Sequence, residues 1–218
     1  MAVRHAAPAK ASGHPTRQAL LDAALDLFAE RGFDGASTRL IAERAGVAQP
    51  LLNYHFAGKF ELWQAAVDDL FRRFRESTAS RLCASEGDSD GADDADVARS
   101  MIRHFVEFSA NNPQLQRIVM QESTQPGPRL DWLVDTHVRP LYENAMTMFE
   151  RLARRGDIEA VDPAHFYYLL VGAGATVFVM GAECRRLTGS DPFAPDFVAA
   201  HADLVVDLLM RAISKEPA

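Results

Sequence analysis

The sequence is poor in cysteine, the residue that cross-links small secreted domains and holds many structural metals. Only Cys83 and Cys184 occur among the 218 residues, and they form no CxxC pair. This spacing argues against a disulfide framework and predicts two reduced thiols in a cytoplasmic protein. A redox-sensing pair is the alternative that the sequence leaves open.

Motifs that organise catalysis are also missing. The chain has no HExxH, no Cys/His cluster, no glycine-rich phosphate loop and no GxSxG. Residues 84–96 are acidic without EF-hand spacing, which favours a flexible loop over its alternative, a metal-binding loop. We therefore expect a protein that is not an enzyme, with no catalytic residues, no cofactor and no metal.

No stretch of the sequence reads as a signal peptide. Residues 1–15 are rich in Ala, Pro and His and predict a disordered arm. The uncharged residues 166–182 approach membrane-spanning length. Gly172 and Gly174 in this run would let another helix approach closely, which favours burial in a dimer. We expect no membrane contact.

Charge is unevenly divided along the chain, whose formal net charge is −7. Residues 1–75 contain ten basic and eight acidic side chains, whereas the remainder contains thirteen and twenty-two. The acidic excess therefore lies outside the N-terminal third. A basic patch there can still bind phosphate, with a moderate dependence on salt.

The chain is organised around residues 37–59, STRLIAERAGVAQPLLNYHFAGK. Apolar residues at helical spacing precede Gly46, which suits a left-handed turn, and Pro50 fits the first turn of a second helix. This pattern predicts a helix-turn-helix. With a preceding helix over residues 16–31 that ends at Gly32, it makes a three-helix unit. An ordinary helix pair in an all-α core is the alternative.

The outer face of the second motif helix carries polar and aromatic side chains. Amides such as those of Gln49 and Asn53 can donate to and accept from an adenine edge. Tyr54, His55 and Lys59 suit phosphate oxygens. This face predicts contact with double-stranded DNA.

The same region resembles the N-terminal domain of the tetracycline-repressor-like (TetR) transcription regulators. The matching residues run in family order: Ala24, Leu27, Phe28, Gly32, Phe33, Thr38, Ile41, Ala42, Ala45, Gly46, Val47, Tyr54, Phe56 and Lys59. Two positions depart from the pattern, since Ala48 replaces a frequent hydroxyl residue and Asn53 a frequent aromatic. The operator sequence cannot be taken from the family.

The resemblance implies an all-α fold with two parts. These are a helix-turn-helix DNA-binding domain at residues 16–60, after the arm at 1–15, and a helical ligand-binding and dimerisation domain at residues 61–218. It also implies roles in DNA binding. Thr38 and Arg39 would approach a phosphate and a base edge, Gln49, Pro50, Leu51 and Asn53 would face bases, and Tyr54, His55 and Lys59 would hold the backbone.

Helical patterns continue through the second part. Residues 129–155 predict one long helix, in which Pro140 implies a kink or local widening. Asp162 and Pro163 predict the start of a helix that runs to about residue 187. The final two helices resemble the family's dimer interface, although both could pack inside one subunit.

Aromatic and methionine side chains in the second part favour an apolar cavity for a small-molecule effector. The candidate lining residues are Phe105, Phe108, Met120, Glu122, Trp132, His137, Tyr142, Met146, Tyr168 and Phe178. Each could equally be core. The resulting hypothesis is a dimeric repressor that binds a palindromic operator and is released by a small, largely apolar ligand. The alternative is an architectural or partner-binding DNA protein of the same fold without an effector.

Overall fold

The computed structural model describes residues 13–87, 94–155 and 161–213. Every regular element in these ranges is helical, as the sequence predicts. The elements are α1 Gly13–Gly35, α2 Thr38–Arg44, α3 Gln49–His55, α4 Lys59–Gly87, α5 Asp94–Asn111, α6 Pro113–Ser123, α7 Pro128–Leu133, a π-helical turn Val134–Val138, α8 Arg139–Arg155, α9 Pro163–Val179, α10 Gly181–Thr188 and α11 Pro195–Ile213.

The chain divides into two compact units, residues 1–69 and 70–218, and the division falls inside α4. The first unit encloses a core contributed by α1, α2, α3 and the start of α4. Its fully buried side chains include Leu20, Leu21, Phe28, Ile41, Leu52, Leu62 and Trp63. Removing this apolar surface from water is the main force that holds the short helices α2 and α3 in place.

The second unit is built around α5, which packs against α9 and α11. Ile102, Val106, Phe178, Val205 and Leu209 belong to one buried cluster between these helices. A Cβ atom added at Gly174 would lie 3.0 Å from Phe105 Cε1 and 3.3 Å from Val106 Cγ2. Gly174 was expected to let a helix of the dimer partner approach closely. Instead, α5 of the same subunit packs against it.

Pro140 has the expected effect on its helix. The Arg139 backbone N–H bonds to the carbonyl of Val134, five residues back, at the end of the π-helical turn. Proline lacks an N–H group, and in an α-helix its ring would crowd the carbonyl of Thr136; a wider turn relieves this conflict. The prediction of a local widening is confirmed.

The helix predicted to run from residue 163 to about 187 is in fact two helices. Met180 leaves helical geometry with φ −90° and ψ 24°, and α9 and α10 are bent by 73°. A Cβ atom at Gly181 would lie 2.7 Å from Phe193 Cε2. The chain therefore turns where a glycine admits the Phe193 ring, and the prediction of one helix was wrong.

Helix ends also differ from the sequence-based expectation. Helix α1 begins at Gly13, inside the predicted arm, and residues 1–12 lie outside the described residues. Helices α4 and α5 extend into both ends of the predicted acidic loop. Within the described ranges no single helix is both long and apolar enough to cross a membrane, and α9 with α10 would reach that length only as a bent pair.

Candidate nucleic-acid interface

The first motif helix, α2, begins with a side-chain cap. The Leu40 backbone N–H donates to Ser37 Oγ at 3.3 Å, and Ser37 has extended backbone angles. This contact satisfies one of the helix's otherwise unpaired N–H groups. Thr38 is half-buried and Arg39 is exposed on the first turn that Ser37 fixes.

Two backbone hydrogen bonds define the turn between the motif helices. Gly46 N donates to Glu43 O at 3.1 Å, and Val47 N donates to Ala42 O at 3.0 Å. This pair is the Schellman arrangement, whose residue after the C-cap adopts left-handed angles. Gly46 has φ +68°, where a side chain would be strained. The predicted role of Gly46 is confirmed.

The second motif helix, α3, is held by an inner face and presents an outer one. Leu52 and Phe56 are buried. Tyr54 is 82% exposed. Four further exposed residues and the half-buried His55 complete the face predicted to contact DNA. The exposed residues are Gln49, Pro50, Leu51 and Asn53. Ala48 is the N-cap residue and provides no side-chain hydrogen bond, as expected for its departure from the family pattern.

A charged pair braces α2 against α1. Arg44 Nη1 donates to Glu30 Oε1 at 2.7 Å, and Arg44 Nη2 donates to Glu30 Oε2 at 3.0 Å. The hydrogen bond to Glu30 is also the main reason why the pKa of Arg44 is raised. Such a two-point contact fixes orientation as well as distance. It holds the C-terminal end of α2 where the turn begins.

Lys59 lies differently from the sequence-based expectation. Its Nζ donates to Phe33 O at 2.8 Å and to Ala36 O at 3.1 Å, and it stands 4.4 Å from the centroid of the Phe33 ring. The side chain is half-buried. The structure therefore places this ammonium on backbone carbonyls of the same unit, whereas the phosphate contact stays a prediction.

Arg17 was missed by the sequence analysis. Its guanidinium carbon lies 5.5 Å from the centroid of the Phe56 ring, at the end of α3, and the residue is exposed. An exposed cation beside the reading helix suits a phosphate contact. No local signal could have found it, because only tertiary folding brings α1 to the end of α3.

The candidate effector residues fall into separate groups in the second unit. Trp132 meets His137 edge to face at 5.1 Å, and Phe108 packs on Phe74 at 4.9 Å. Met146 and Phe178 belong instead to the core cluster with α9 and α11. Among the remaining candidates, Phe105 lies against Gly174, Glu122 pairs with Arg129, Tyr142 packs on Tyr167, and Met120 is half-buried.

Tyr168 does not line an interior cavity of this subunit. It is 72% exposed, because it points outward from α9. Its neighbour Tyr167 is more buried, and this burial raises the pKa of the Tyr167 hydroxyl. Tyr168 must therefore be moved from the ligand-lining set to the surface of the unit.

Several buried polar groups of the second unit were not singled out as ligand candidates. His104 is 5% exposed, and its Nε2 lies 3.0 Å from Ser77 Oγ. Ser109 Oγ and Gln116 Oε1 are buried and make no hydrogen bond to the described residues. Buried polar atoms usually have partners, so these two oxygens could accept from a bound group. The sequence signal was weak, since each lies in a helix that carries several other polar side chains.

Two family profiles match the chain. Residues 20–66 match a profile described as bacterial regulatory proteins, tetR family, and residues 96–209 match one described as tetracyclin repressor-like, C-terminal domain. The second match alone spans more than half of the chain. The chain therefore belongs to the TetR family of bacterial transcription regulators, and it has the family's helix-turn-helix and C-terminal helical domain.

Individual relatives agree with this assignment. The chain is 26% identical over 181 residues to the HTH-type transcriptional regulator RutR of Escherichia coli, covering 80% of this chain and 79% of RutR. It is 26% identical over 148 residues to the HTH-type transcriptional activator FasR of Mycolicibacterium smegmatis, covering 66% of this chain and 62% of FasR. The names of both relatives describe regulators of transcription.

A solved structure shows the same fold. AibR in complex with isovaleryl coenzyme A and operator DNA superposes with a TM-score of 0.70 at 20% identity, covering 89% of this chain and 98% of AibR. At this identity the likeness establishes the fold only. What AibR binds is a property of AibR.

Proposed function

We propose that this regulator is a repressor that binds a palindromic operator as a homodimer. The observation that carries the proposal is the outward face of α3, where Gln49, Leu51, Asn53 and Tyr54 are all exposed on a helix anchored by the buried Leu52. Exposed amides on a helix of this motif are suited to base edges in the major groove. A protein with this role would act in the bacterial cytoplasm.

The proposed contacts on each half-site divide into two kinds. Gln49, Pro50, Leu51 and Asn53 would face bases and set sequence preference. Thr38 and Arg39 would approach a phosphate and a base edge. Tyr54 and His55 would hold the backbone, together with Arg17, an exposed cation beside Phe56 at the end of α3. A base contact depends on the DNA sequence, and a phosphate contact does not. Loss of a base contact should therefore relax the sequence preference, whereas loss of a phosphate contact should weaken binding to all DNA sequences alike.

The homodimer would form through α9 and α11. Leu169, Leu204 and Leu208 are large apolar residues with more than half of their surface exposed, and Tyr168 is exposed beside Leu169. A second copy offers the same apolar residues by two-fold symmetry, so it would cover the surface with a matching one. Two copies would also place two reading helices about one turn of DNA apart.

The proposed effector is a small, largely apolar molecule held in the second unit. Aromatic rings such as Trp132 and Phe108 would contact its apolar part, and buried polar atoms such as Gln116 Oε1 could orient its polar end. Release from DNA requires that this ligand binds the low-affinity conformation more tightly. AibR makes isovaleryl coenzyme A a rational first probe, tested beside uncharged apolar molecules.

Selection of operators from random duplex DNA tests the proposal. Purified protein is bound, the retained duplexes are sequenced, and a palindrome with half-sites about one turn apart is the expected result. Gln49→Ala should relax preference at a cost of about 1 to 3 kcal/mol in a mobility-shift series. Binding without sequence preference would instead favour the architectural alternative, and a reporter gene under the selected operator would distinguish repression from the activation that FasR's name describes.

A further inference from the structure

Lys59 is the first residue of α4, and its side chain reaches back to the corner between α1 and α2. The two carbonyls that it contacts, Phe33 O and Ala36 O, stand on either side of that corner, at 2.8 Å and 3.1 Å from Nζ. Gly32, with φ +71°, ends the regular part of α1 just before the corner. The ammonium thus connects the start of α4 to the segment that leads into α2.

A cation is favourable at this corner. A helix that ends leaves carbonyl groups without intrahelical partners, and its partial negative charge favours a positive group there. Ser37, which caps α2 through the Leu40 N–H, is the residue directly after Ala36. A contact that fixes the Ala36 carbonyl therefore fixes the position from which α2 begins.

The Phe33 ring strengthens the contact and holds it in place. The ammonium lies 4.4 Å from the ring centroid, within the range of a cation–π interaction. Phe33 itself stacks on Phe28 at 5.8 Å and meets Trp63 edge to face at 6.2 Å. An ammonium has three N–H donors, and two are already used. Moving Nζ to a phosphate would break both hydrogen bonds and leave the ring.

We infer that Lys59 is a positioning residue, which fixes the N-terminal end of α2 for DNA binding by clamping the α1–α2 corner to α4, rather than a phosphate ligand. This inference rests on the proposed DNA-binding function and differs from the role that the family resemblance implied. The residue acts through Ser37, Thr38 and Arg39, the segment that it holds in place.

Nuclear magnetic resonance of labelled lysine tests this directly. The sequence contains three lysines, Lys10, Lys59 and Lys215, so a protein labelled with 13C at lysine Cε gives a simple spectrum, in which Lys59→Arg identifies the Lys59 signal. The ring of Phe33 should shift the Lys59 Hε protons upfield in the free protein. The inference requires the same shift in the operator complex, and disappearance of the shift on binding DNA would overturn it.

Salt dependence provides a second readout. Lys59→Met should weaken operator binding equally at each salt concentration, with an unchanged slope of log affinity against log salt. Arg17→Ala is the comparison, because it removes an exposed cation of α1 that the clamp does not hold in place, and the slope should fall by about 0.9 for every phosphate that the protein no longer neutralises. A slope that falls in Lys59→Met as it does in Arg17→Ala would overturn the inference, because it would show that Lys59 neutralises a phosphate.

Hydrogen exchange in the protein without DNA separates this inference from the proposed function. Without the clamp, the Leu40 amide, which donates to Ser37 Oγ, should exchange roughly tenfold faster in Lys59→Met, the effect of removing a hydrogen bond to a charged group. Unchanged exchange would overturn the positioning role. A protein that binds no operator would refute the proposed function and leave this measurement valid.

Discussion

The imidazole of His137 stacks on the ring of Phe71, with centroids 4.4 Å apart and planes 5° from parallel. Arg75, one turn further along α4, donates from Nη1 to His137 Nδ1 at 3.4 Å. Because arginine can only donate, Nδ1 accepts and the neutral ring carries its proton on Nε2. His137 lies in the π-helical turn that precedes Pro140.

His137→Ala should lower the free energy of unfolding by about 2 to 4 kcal/mol, the range for truncating a large buried side chain. The ring is 3% exposed and packs against both Phe71 and Trp132. His165→Ala is the matched control, because His165 is exposed on α9 and should change stability by no more than about 0.5 kcal/mol. Urea unfolding at pH 7 measures both, and equal effects would show that the stack contributes nothing.

His104 should make stability depend on pH. Burial and the nearby positive charge of Arg81 lower its pKa, while Glu107 opposes this shift. The folded state therefore binds a proton less readily than the unfolded chain, whose histidine titrates near pH 6.5.

The sign follows from proton linkage. As pH falls below about 6.5 the unfolded state takes up more protons, so this contribution to stability is complete above that pH and decreases below it. The wild-type protein should lose stability on acidification relative to His104→Gln, in which the group cannot titrate. Urea unfolding between pH 5 and 8 measures the difference, and parallel curves for the two proteins would contradict the prediction.

Gly46→Ala should destabilise the first unit by about 1 kcal/mol, because an alanine side chain is strained at φ +68°. Gly58→Ala is the control, since its φ is not in the left-handed region and an added Cβ has no atom within 4 Å. That substitution should change stability by no more than about 0.5 kcal/mol. Thermal unfolding of both variants provides the test, and a cost at Gly58 as large as that at Gly46 would argue against backbone strain.

The parts of the fold that local chemistry decides could be predicted from the sequence. Gly46 marked the turn, Asp162 and Pro163 marked the start of α9, and Pro140 marked the widened turn, because each acts on its own backbone. The buried positions of α2 and α3, such as Ile41 and Leu52, followed from helical spacing.

Features that depend on distant contacts could not be predicted. The break at Met180 reflects the Phe193 ring against Gly181, which the uncharged sequence of this stretch does not indicate. The Lys59 ammonium reaches carbonyls more than twenty residues earlier, so its position follows from tertiary folding. The candidate effector residues fall into separate groups for the same reason. Helical spacing shows which face of a helix is apolar, but it does not show which other helix that face packs against.

Substituting Leu204 and Leu208 together by Glu should convert the proposed dimer to monomers. The two side chains are 63% and 56% exposed, one turn apart on α11, and burying each in a dimer would contribute about 1.5 to 3 kcal/mol per subunit. A two-fold interface contains every substitution twice, so the double variant would place four carboxylates in the interface. Removing these charges from water is unfavourable and would oppose dimer formation further.

Ala199→Glu adds a carboxylate to a different face of the exposed surface of α11 and should leave the dimer intact. Analytical ultracentrifugation of the three proteins gives the oligomeric state, and a mobility-shift assay on the selected operator gives the affinity. Because each subunit of the proposed dimer would read one half-site, the monomeric variant should bind a half-site as the control does and lose the preference for the full palindrome. A Leu204→Glu/Leu208→Glu protein that remained dimeric would exclude this face of α11 as the interface.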